Sequence, residues 1–468
     1  MQNRNEYHES RLATTDEHGH RVTLYPEDIS GIWQKRRRIV YSILIGIYLI
    51  LPWIYINGKQ IILLNLPKRE FYIFGMTFYG HDGPLIIFLL LGFVLAIAFV
   101  TSIWGRVWCG WACPQTVFID SIYRVIDRIV EGKARERRKL DQAPMSGEKL
   151  FKKSLKWFLY LLVSLHIVHS FLGYFVGTHN LVEISLQSPL ENIQLFILML
   201  ILTGIVLFDF GWFREQFCVI ACPYGRMQSV FMDESSYVVG YDYNRGEPRR
   251  GEVSEKSEEG DCINCYRCVK ACPTGIDIRR GTQQLECINC TMCIDACDEI
   301  MQKLKRPKGL IRYTSENELE GKPNKRSLRT YIYILGVFIV ISGLFLSISR
   351  RLEVHSKLLR VPGEPYQVID DAKYDLINRY TARQHYYGSD KLIIDYQVSD
   401  ELTGKVEIVS PTLPKELVNN EEIFLFIIFK KEILINGSAN IKIKELIYAN
   451  KKLLETNIKE VKIVGPLK

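Results

Sequence analysis

Two cysteine runs with identical spacing constrain this chain more than any other feature. Each run has the spacing C-x2-C-x2-C-x3-C, and the eight cysteines are Cys262, Cys265, Cys268 and Cys272 in the first run and Cys287, Cys290, Cys293 and Cys297 in the second. Bacterial ferredoxins hold 4Fe–4S clusters with this spacing, and the fourth cysteine of each run binds the other cluster. Zinc sites also use C-x2-C pairs but rarely take two identical runs of this kind. The runs therefore indicate an electron-transfer protein.

The spacing rule assigns the ligands to two predicted clusters, which we name here. The first cluster site consists of Cys262, Cys265, Cys268 and Cys297, and the second cluster site consists of Cys272, Cys287, Cys290 and Cys293.

Five long apolar runs predict transmembrane helices. They lie at residues 39–56, 84–104, 157–176, 193–212 and 331–349. Each is close to the roughly 20 residues that a helix needs to cross a bilayer. Buried core helices are a poor alternative for runs this long with so few charges. The first 38 residues are polar, and no small-residue cleavage site follows the first run, so we expect that run to stay as a membrane helix rather than to be removed as a signal peptide.

The distribution of Lys and Arg predicts the orientation of these helices. Basic residues precede the first run and crowd residues 105–156, whereas residues 177–192 contain neither Lys nor Arg. The N-terminus and the cysteine runs are therefore expected in the cytoplasm of a bacterial inner-membrane protein, with the C-terminal region in the periplasm. The net charge of +8 then reflects this bias, and no nucleic-acid partner is predicted. The 12 cysteines lie on the reducing side, where thiols serve metals or redox chemistry.

The chain divides into five predicted parts. They are a cytoplasmic tail at 1–38, a four-helix membrane domain at 39–235, a ferredoxin domain at 244–313, a fifth transmembrane helix at 331–349 and a periplasmic domain at 354–468. In the last part the β-branched or alternating segments 391–398, 404–409, 423–429 and 439–447 predict an antiparallel β-sandwich. This part contains no cysteine and no evident catalytic group, which favours a binding or scaffolding role.

A second set of cysteines occurs in a duplicated motif, C-x3-C-P. We call residues 108–114 the first Cys-Pro motif and residues 217–223 the second. Each follows the second helix of a pair, with an arginine shortly before it (Arg106 and Arg214). The four cysteines, named here the thiol site, are Cys109, Cys113, Cys218 and Cys222.

The spacing of these cysteines suggests a metal or redox site. On a helix, residues four apart lie on one face, and soft thiolates select Cu(I), zinc or iron–sulfur clusters. If the two repeats meet, four thiolates would enclose one soft metal ion or a further cluster. The alternative is that these cysteines pack as small buried hydrophobic residues. The matched positions favour the metal or redox role, and the prolines are expected to begin the following helices.

A histidine pair lies inside the third apolar run. His166 and His169 are three residues apart and share one helix face. Ionisable groups within a bilayer are costly and often functional, so a haem or quinone role is one interpretation. Polar packing between helices is favoured, since the other apolar runs contain no partner histidine.

The motifs together resemble the accessory proteins of cbb(3)-type cytochrome c oxidase, the family known as CcoG, FixG or RdxA. The resemblance rests on Trp-Cys109-Gly-Trp-Ala-Cys113-Pro, on Cys218-Val-Ile-Ala-Cys222-Pro-Tyr-Gly-Arg-Met-Gln, and on Cys272-Pro-Thr-Gly-Ile-Asp-Ile with Cys293-Ile-Asp-Ala-Cys297-Asp. It covers nearly the whole chain. It implies two 4Fe–4S clusters in an α+β ferredoxin-like domain inserted into a transmembrane bundle, and a C-terminal all-β immunoglobulin-like domain.

The resemblance also implies a function, assembly of cbb(3)-type oxidase. Members are thought to reduce Cu(II) to Cu(I) for delivery to the oxidase, so copper would be a substrate or transient ligand of an oxidoreductase. The implied partners are membrane lipid, oxidase subunits and copper-delivery proteins. The resemblance does not identify the electron donor, and it is compatible with a homodimer. The main alternative is a quinol-linked subunit of nitrate or nitrous oxide respiration, and a third reading is a scaffold with structural clusters.

Overall fold

A computed structural model describes the chain as two units, Met1–Leu346 and Ser347–Lys468. The described residues are 15, 18, 20–56, 58–79, 83–252, 259–282, 284–349, 354–369, 375–386, 392–399, 402–416, 422–449 and 452–466.

The first unit contains the α-helices, with short strands between them. In chain order the α-helices are α1 Ile32–Ile50, α2 Gly83–Trp104, α3 Val107–Trp111, α4 Pro114–Phe118, α5 Arg124–Glu131, α6 Ala134–Gln142, α7 Gly147–Val176, α8 Thr178–Leu186, α9 Ile193–Val206, α10 Pro223–Phe231, α11 Tyr243–Gly246, α12 Arg267–Ala271, α13 Met292–Lys303, α14 Glu316–Leu319 and α15 Leu328–Ser349. Strands β1 to β5 are Tyr55–Ile56, Lys59–Gln60, Ile62–Asn65, Glu70–Ile73 and Met76–Tyr79, and strands β6 and β7 are Val238–Tyr241 and Ile311–Thr314.

Four of the predicted membrane spans form helices that are long and apolar enough to cross a bilayer. Within the described part of the chain these are Leu85–Trp104, Gly147–Val176, Ile193–Phe213 and Leu328–Ser349. They correspond to the predicted runs at 84–104, 157–176, 193–212 and 331–349. The chain is therefore an integral membrane protein.

The predicted first span, residues 39–56, is not among these four helices. Helix α1 begins seven residues earlier, at Ile32, so its first two turns carry four consecutive basic residues, and it ends at Ile50. The apolar part from Ile39 to Ile50 would extend only about 18 Å at the rise of an α-helix, which is short of the ~30 Å hydrocarbon layer. Pro52 then lies in a 3₁₀ turn that leads into a β-strand. The five-helix count is thus not confirmed.

The segment between α1 and α2 forms small antiparallel sheets, not a featureless loop. Strand β1 pairs with β2, and β4 lies between β3 and β5. This segment is attached to α7 and its end: Gln60 donates from its side-chain amide to the carbonyl of Gly173 (3.1 Å), and the hydroxyl groups of Tyr55 and Thr178 lie 2.9 Å apart.

The ferredoxin region is bracketed by one antiparallel strand pair. Strand β6 pairs with β7, so this module includes Val238–Tyr241, before the predicted domain start at residue 244. Helices α12 and α13 and the two cysteine runs lie between these strands. The core contains Val239, Ile278 and Ile294 together with six of the eight cluster-site cysteines, whereas Cys265 is exposed and Cys290 packs against Cys109.

The second unit contains two antiparallel sheets that share one hydrophobic core. Strands β8 to β16 are Val354–Arg360, Gln367–Val368, Leu376–Tyr386, Leu392–Val398, Val406–Val409, Lys415–Glu416, Glu422–Phe429, Ser438–Ala449 and Lys452–Val464. One sheet has the order β12-β14-β10-β8, with β9 also paired to β10, and the other has the order β13-β11-β15-β16.

Residue alternation explains how these sheets pack. Along β14, Ile423, Leu425, Ile427 and Phe429 are buried while the residues between them are more exposed, as expected when one face of a strand meets a core. Strands β11, β12, β14 and β15 overlap the four predicted segments, whereas β8, β10 and β16 were not predicted. The β-rich character of this region is confirmed.

Candidate functional site

The two cysteine runs adopt the same backbone conformation. Asn264 and Tyr266 in the first run, and Asn289 and Thr291 at the equivalent positions of the second, have positive φ angles between 54° and 63°. A helix begins directly after each pair, α12 at Arg267 and α13 at Met292. Alternation of left-handed and right-handed residues directs successive backbone amides into a concave surface that suits negatively charged groups such as iron-bound sulfur.

Each predicted cluster site lines its own pocket. Cys262, Cys265, Cys268 and Cys297 line one pocket, together with Tyr241 and Arg279. The four cysteines Cys272, Cys287, Cys290 and Cys293 line a second pocket, which Cys268 also borders. The ligand sets inferred from the spacing rule are therefore those that the fold brings together. The donor chemistry and the enclosed apolar walls fit 4Fe–4S clusters.

Burial controls the protonation of these thiols. It raises the pKa of Cys268 and of Cys287 to about 12, because a thiolate is costly where water is excluded. Burial also raises the pKa of Cys272, while the backbone amides of Thr274, Gly275 and Ile276 donate toward its sulfur and lower it. Without metal, these thiols are neutral at physiological pH. Binding of iron would thus displace protons, and the amides would then stabilise the bound thiolate.

The thiol site is built by the two Cys-Pro motifs, whose cysteines the fold brings together. Burial is the largest cause that raises the pKa values of Cys109, Cys113 and Cys218, and negative charge on the other cysteines of the set raises each further. Cys222 contributes to this effect on all three. The two repeats meet at Cys109, whose sulfur accepts a hydrogen bond from Gln228 of the second repeat (3.3 Å).

The prediction that each pair lies on one continuous helix face is wrong. Cys109 lies in α3 and Cys218 in a π-helical turn, Phe217–Ala221, whereas Cys113 and Cys222 are extended residues that precede new helices. The residue before a proline is driven out of the helical region. The prolines at the first positions of α4 and α10 begin these helices, as predicted.

Buried amide side chains form hydrogen bonds between the two repeats. Gln228, on α10 of the second repeat, is fully buried and donates to the sulfur of Cys109 (3.3 Å). In the opposite direction, Gln115 of the first repeat donates to Asp209 (3.0 Å) and to the carbonyl of Arg214 (3.2 Å). No local sequence signal marks Gln115 as functional, and Gln228 is the last residue of the motif that carries the family resemblance.

The first Cys-Pro motif contacts the second cluster site directly. Cys109 belongs to one buried cluster with Cys290 and Ile288. Gly110 makes this approach feasible, since a Cβ atom at that position would lie 2.4 Å from the carbonyl oxygen of Ile288 and 2.9 Å from that of Asn289. Only glycine lets the two backbones come this close.

The start of α1 joins the same contact. Asp295 of α13 accepts hydrogen bonds from the amides of Trp33 (3.3 Å) and Gln34 (2.8 Å), at the first turn of α1. The side chain of Gln34 donates to the carbonyl of Cys290 (3.2 Å), and buried Arg37 donates to the carbonyl of Gly110 (2.8 Å). In the sequence, Arg37 belongs to the basic stretch before the first apolar run, which predicts a membrane flank. No local sequence signal identifies its second role as a link between the cluster region and the thiol site.

The described residues do not form a binding site for a single metal ion with three or more side-chain ligands. Among them, no group of three or more His, Cys, Asp or Glu side chains is close enough to hold one metal ion. His166 is exposed on α7 and His169 is half-buried. In the residues that the structure covers, these histidines are not joined by a third ligand.

Two family models match the regions that carry these cysteines. The model of a 4Fe-4S dicluster domain matches residues 213–316, which include the second Cys-Pro motif and both cysteine runs. The model of a 4Fe-4S binding domain matches residues 85–133, whose cysteines are Cys109 and Cys113. The fold and these matches define the class: a membrane-bound iron–sulfur protein that transfers electrons.

Similar proteins identify the family within this class. The chain is 38% identical to RdxA of Cereibacter sphaeroides over 328 residues, which cover 67% of this chain and 69% of RdxA. It is 38% identical to RdxB of the same organism over 340 residues, with 68% and 70% covered, and 36% identical to the nitrogen fixation protein FixG of Rhizobium meliloti over 306 residues, with 63% and 57% covered. This chain belongs to the family known as CcoG, FixG or RdxA, which confirms the resemblance.

A solved structure was also compared with the chain. A FixG-related protein from Vibrio parahaemolyticus aligns with 25% of this chain and all of that one, at 12% identity and a TM-score of 0.19, which is too low to support a conclusion about fold.

Proposed function

We propose that this protein reduces Cu(II) to Cu(I) at the thiol site with electrons delivered through the two cluster sites. The observation that carries the proposal is the packing of Cys290, a ligand of the second cluster site, against Cys109 of the thiol site. A bound 4Fe–4S cluster supplies one electron at a time, which matches the one-electron reduction of Cu(II). The order of the sites along the fold is then first cluster site, second cluster site and thiol site.

The thiol site has the chemistry that favours the product. Thiolates are soft ligands and bind Cu(I) more strongly than Cu(II), so binding itself raises the copper potential and favours reduction. Burial keeps these thiols neutral until a cation replaces their protons. The amide of Gln228 fixes the sulfur of Cys109 within the site. The site is therefore suited to take up copper and hold it in the reduced state.

Assembly of cbb(3)-type oxidase is the cellular role that we propose for this chemistry. It rests on the family membership and on the implied delivery of copper to the oxidase. The N-terminus and ferredoxin module would be cytoplasmic and the C-terminal β-domain, proposed to be immunoglobulin-like, periplasmic, where it would contact oxidase subunits or copper-delivery proteins.

That topology requires α1 and the turn after it to cross the membrane as a fifth span. Contacts with α7 and the start of α8 support this proposal: Tyr48 donates to the carbonyl of Ile167 (2.7 Å), and Thr178 donates to that of Pro52 (3.2 Å). A reporter fused at the C-terminus should report the periplasm, and one fused after Gly281 the cytoplasm. A cytoplasmic C-terminus would contradict the fifth span.

Replacing Cys109 and Cys218 together by serine tests the proposed function. We expect the double variant to lose copper binding and Cu(II) reduction in an anaerobic assay with a Cu(I) chelator. It should retain about eight iron atoms per chain, the content of two cubane clusters. Replacing His166 and His169 by alanine is the matched membrane control and should leave reduction unchanged.

Two outcomes would contradict this function. Reduction of Cu(II) at the normal rate by the double variant would show that the thiols are structural. About twelve iron atoms in the unmodified protein, falling to about eight in the variant, would assign a further cluster rather than copper to the thiol site.

A further inference from the structure

Buried arginines lie beside both cluster sites, and their partners differ. At the first cluster site, Arg279 is 2% exposed and is held by Asp277 through two hydrogen bonds, from Nε (2.8 Å) and Nη2 (2.6 Å). The positive charge beside Cys268 is therefore balanced by an adjacent carboxylate. Asp298 adds a further negative charge beside Cys297, where it raises the pKa of that thiol after the larger effect of burial.

The second cluster site has two arginines, and only one of them is balanced. Arg37, beside Cys290, forms an ion pair with Asp120. Arg106 is 6% exposed and donates to the carbonyls of Leu285 and Cys287, the latter at 3.5 Å. In the described part of the chain, no carboxylate lies within ion-pair distance of Arg106. A buried cation that hydrogen-bonds only to carbonyl groups keeps its net positive charge in the interior, where that charge is screened less than in water.

The position of Arg106 is between the two redox sites. It directly precedes α3, which carries Cys109, and its guanidinium contacts the backbone of Cys287. Burial raises the pKa of both thiols, and the charge of Arg106 opposes that effect at each of them. One positive charge thus favours negative charge on a ligand of the thiol site and on a ligand of the second cluster site.

We propose that Arg106 is a positioning residue whose unbalanced positive charge raises the reduction potential of the second cluster above that of the first. Reduction adds one negative charge to a cluster, and a nearby cation in a low-dielectric interior stabilises that charge. One electron then leaves the first cluster site, which is oxidised, and stays at the second, which is reduced, next to Cys109. This inference rests on the proposed order of the sites. It adds the reason why electrons accumulate at the second cluster, next to the thiol site.

The test measures the reduced fraction of the second cluster at fixed solution potential, followed by low-temperature EPR without copper. A Cys265→Ser background removes the first cluster, so the remaining signal belongs to the second. We expect Arg106→Gln to lower the ratio of reduced to oxidised cluster about tenfold, which equals about 59 mV for a one-electron couple. Arg106→Lys, which keeps the charge, should recover most of this loss.

A second variant keeps the arginine and neutralises its effect. Ser229 is exposed and lines the same pocket as Arg106 and Cys287. Ser229→Asp should therefore shift the ratio in the same direction as Arg106→Gln, and Ser229→Asn should not. If Arg106→Gln does not retain the second cluster, the comparison of the two Ser229 variants tests the role of Arg106.

The inference is overturned if Ser229→Asp leaves the ratio unchanged, or if Arg106→Lys shifts it as far as Arg106→Gln. Because copper is absent, these results are independent of the Cu(II) assay. Loss of Cu(II) reduction in the cysteine double variant with an unchanged ratio in the charge variants would support the proposed function and refute the role of Arg106.

Discussion

The two Cys-Pro motifs share the backbone turn at the second cysteine but have different neighbours. In each, the amide of the second cysteine donates to the carbonyl five residues earlier, Cys113 to Trp108 and Cys222 to Phe217, both at 2.8 Å. Each second cysteine is extended and precedes a proline that begins a helix. The duplication therefore reproduces the local structure that presents a pair of thiols.

The residue after the first cysteine distinguishes the two motifs. It is Gly110 in the first motif and Val219 in the second. The glycine admits the backbone of Ile288 and Asn289 at distances that a side chain would prevent. The ferredoxin module therefore contacts the first motif closely, and Val219 marks a motif that does not need such an approach.

The preceding arginines show the same division of roles. Arg214 of the second repeat forms an ion pair with buried Asp127 (2.8 Å) and also donates to Tyr160. Burial disfavours the charge on Asp127, but Arg214, Tyr160 and Lys156 lower its pKa to about 2. Arg106 of the first repeat instead faces Cys287. Both repeats thus contribute cysteines to the thiol site. The first repeat also contacts the ferredoxin module, whereas Arg214 of the second contacts α5 and α7.

The largest expected effect is a difference between variants of the two cluster sites, because the second site lies against the first Cys-Pro motif. We expect Cys290→Ser to abolish Cu(II) reduction in dithionite-reduced protein, because it removes the cluster beside Cys109. Cys265→Ser should lose the other cluster and still reduce Cu(II), since a small reductant can reach the second site directly. The measurements are iron content, EPR and the yield of Cu(I) chelate. Equal loss in both variants would contradict the proposed order of the sites.

Making the first motif resemble the second should have the next largest effect. In Gly110→Val the new side chain would overlap the backbone of Ile288, and such overpacking costs about 1–3 kcal/mol. We expect both clusters to remain and the rate of cluster reoxidation by Cu(II) to fall at least tenfold, as stopped-flow absorbance would measure. Val219→Ala is the matched control and should change this rate little. Normal reoxidation in Gly110→Val would refute the direct route through the first motif.

The cluster ligands could be predicted from sequence because their geometry is local. The three spacings within one run determine which sulfurs can reach one cluster, and the duplicated run supplies the exchanged fourth ligand. The four apolar spans were predictable for a similar reason, since length and composition alone set them. The β-rich character of the C-terminal unit followed from alternation, although β16, in which buried Val461 and Ile463 flank exposed Lys462, was not predicted.

The contacts between regions could not be predicted in this way. Asp295 lies inside a cysteine run and caps a helix that starts more than 250 residues earlier, at Ile32. Arg37 belongs to a basic stretch whose sequence fits a membrane flank equally well. The helix-face prediction for the cysteine pairs failed because the following prolines changed the backbone of Cys113 and Cys222. Only tertiary packing determines these features.

The smallest expected effect is a difference in acidity between the two motifs in metal-free protein. Burial raises the pKa of Cys109 to about 12 and also raises that of Cys218. Arg106 lowers the pKa of Cys109, whereas Glu215 raises that of Cys218 further. Since only the thiolate is nucleophilic, alkylation of both should accelerate as pH rises from 8 to 10, by about tenfold per unit.

Mass spectrometry after iodoacetamide treatment would rank the two cysteines. We expect Cys109 to be modified at lower pH than Cys218, and Arg106→Gln to remove that lead. Because the folded-state pKa values are raised, the stabilisation from neutral thiols is complete below the pKa of an unfolded cysteine and is lost as pH rises toward 12. Metal-free protein should accordingly unfold at lower temperature as pH increases. Modification of Cys218 before Cys109 would mean that the first motif gains no electrostatic advantage from the arginine that precedes it.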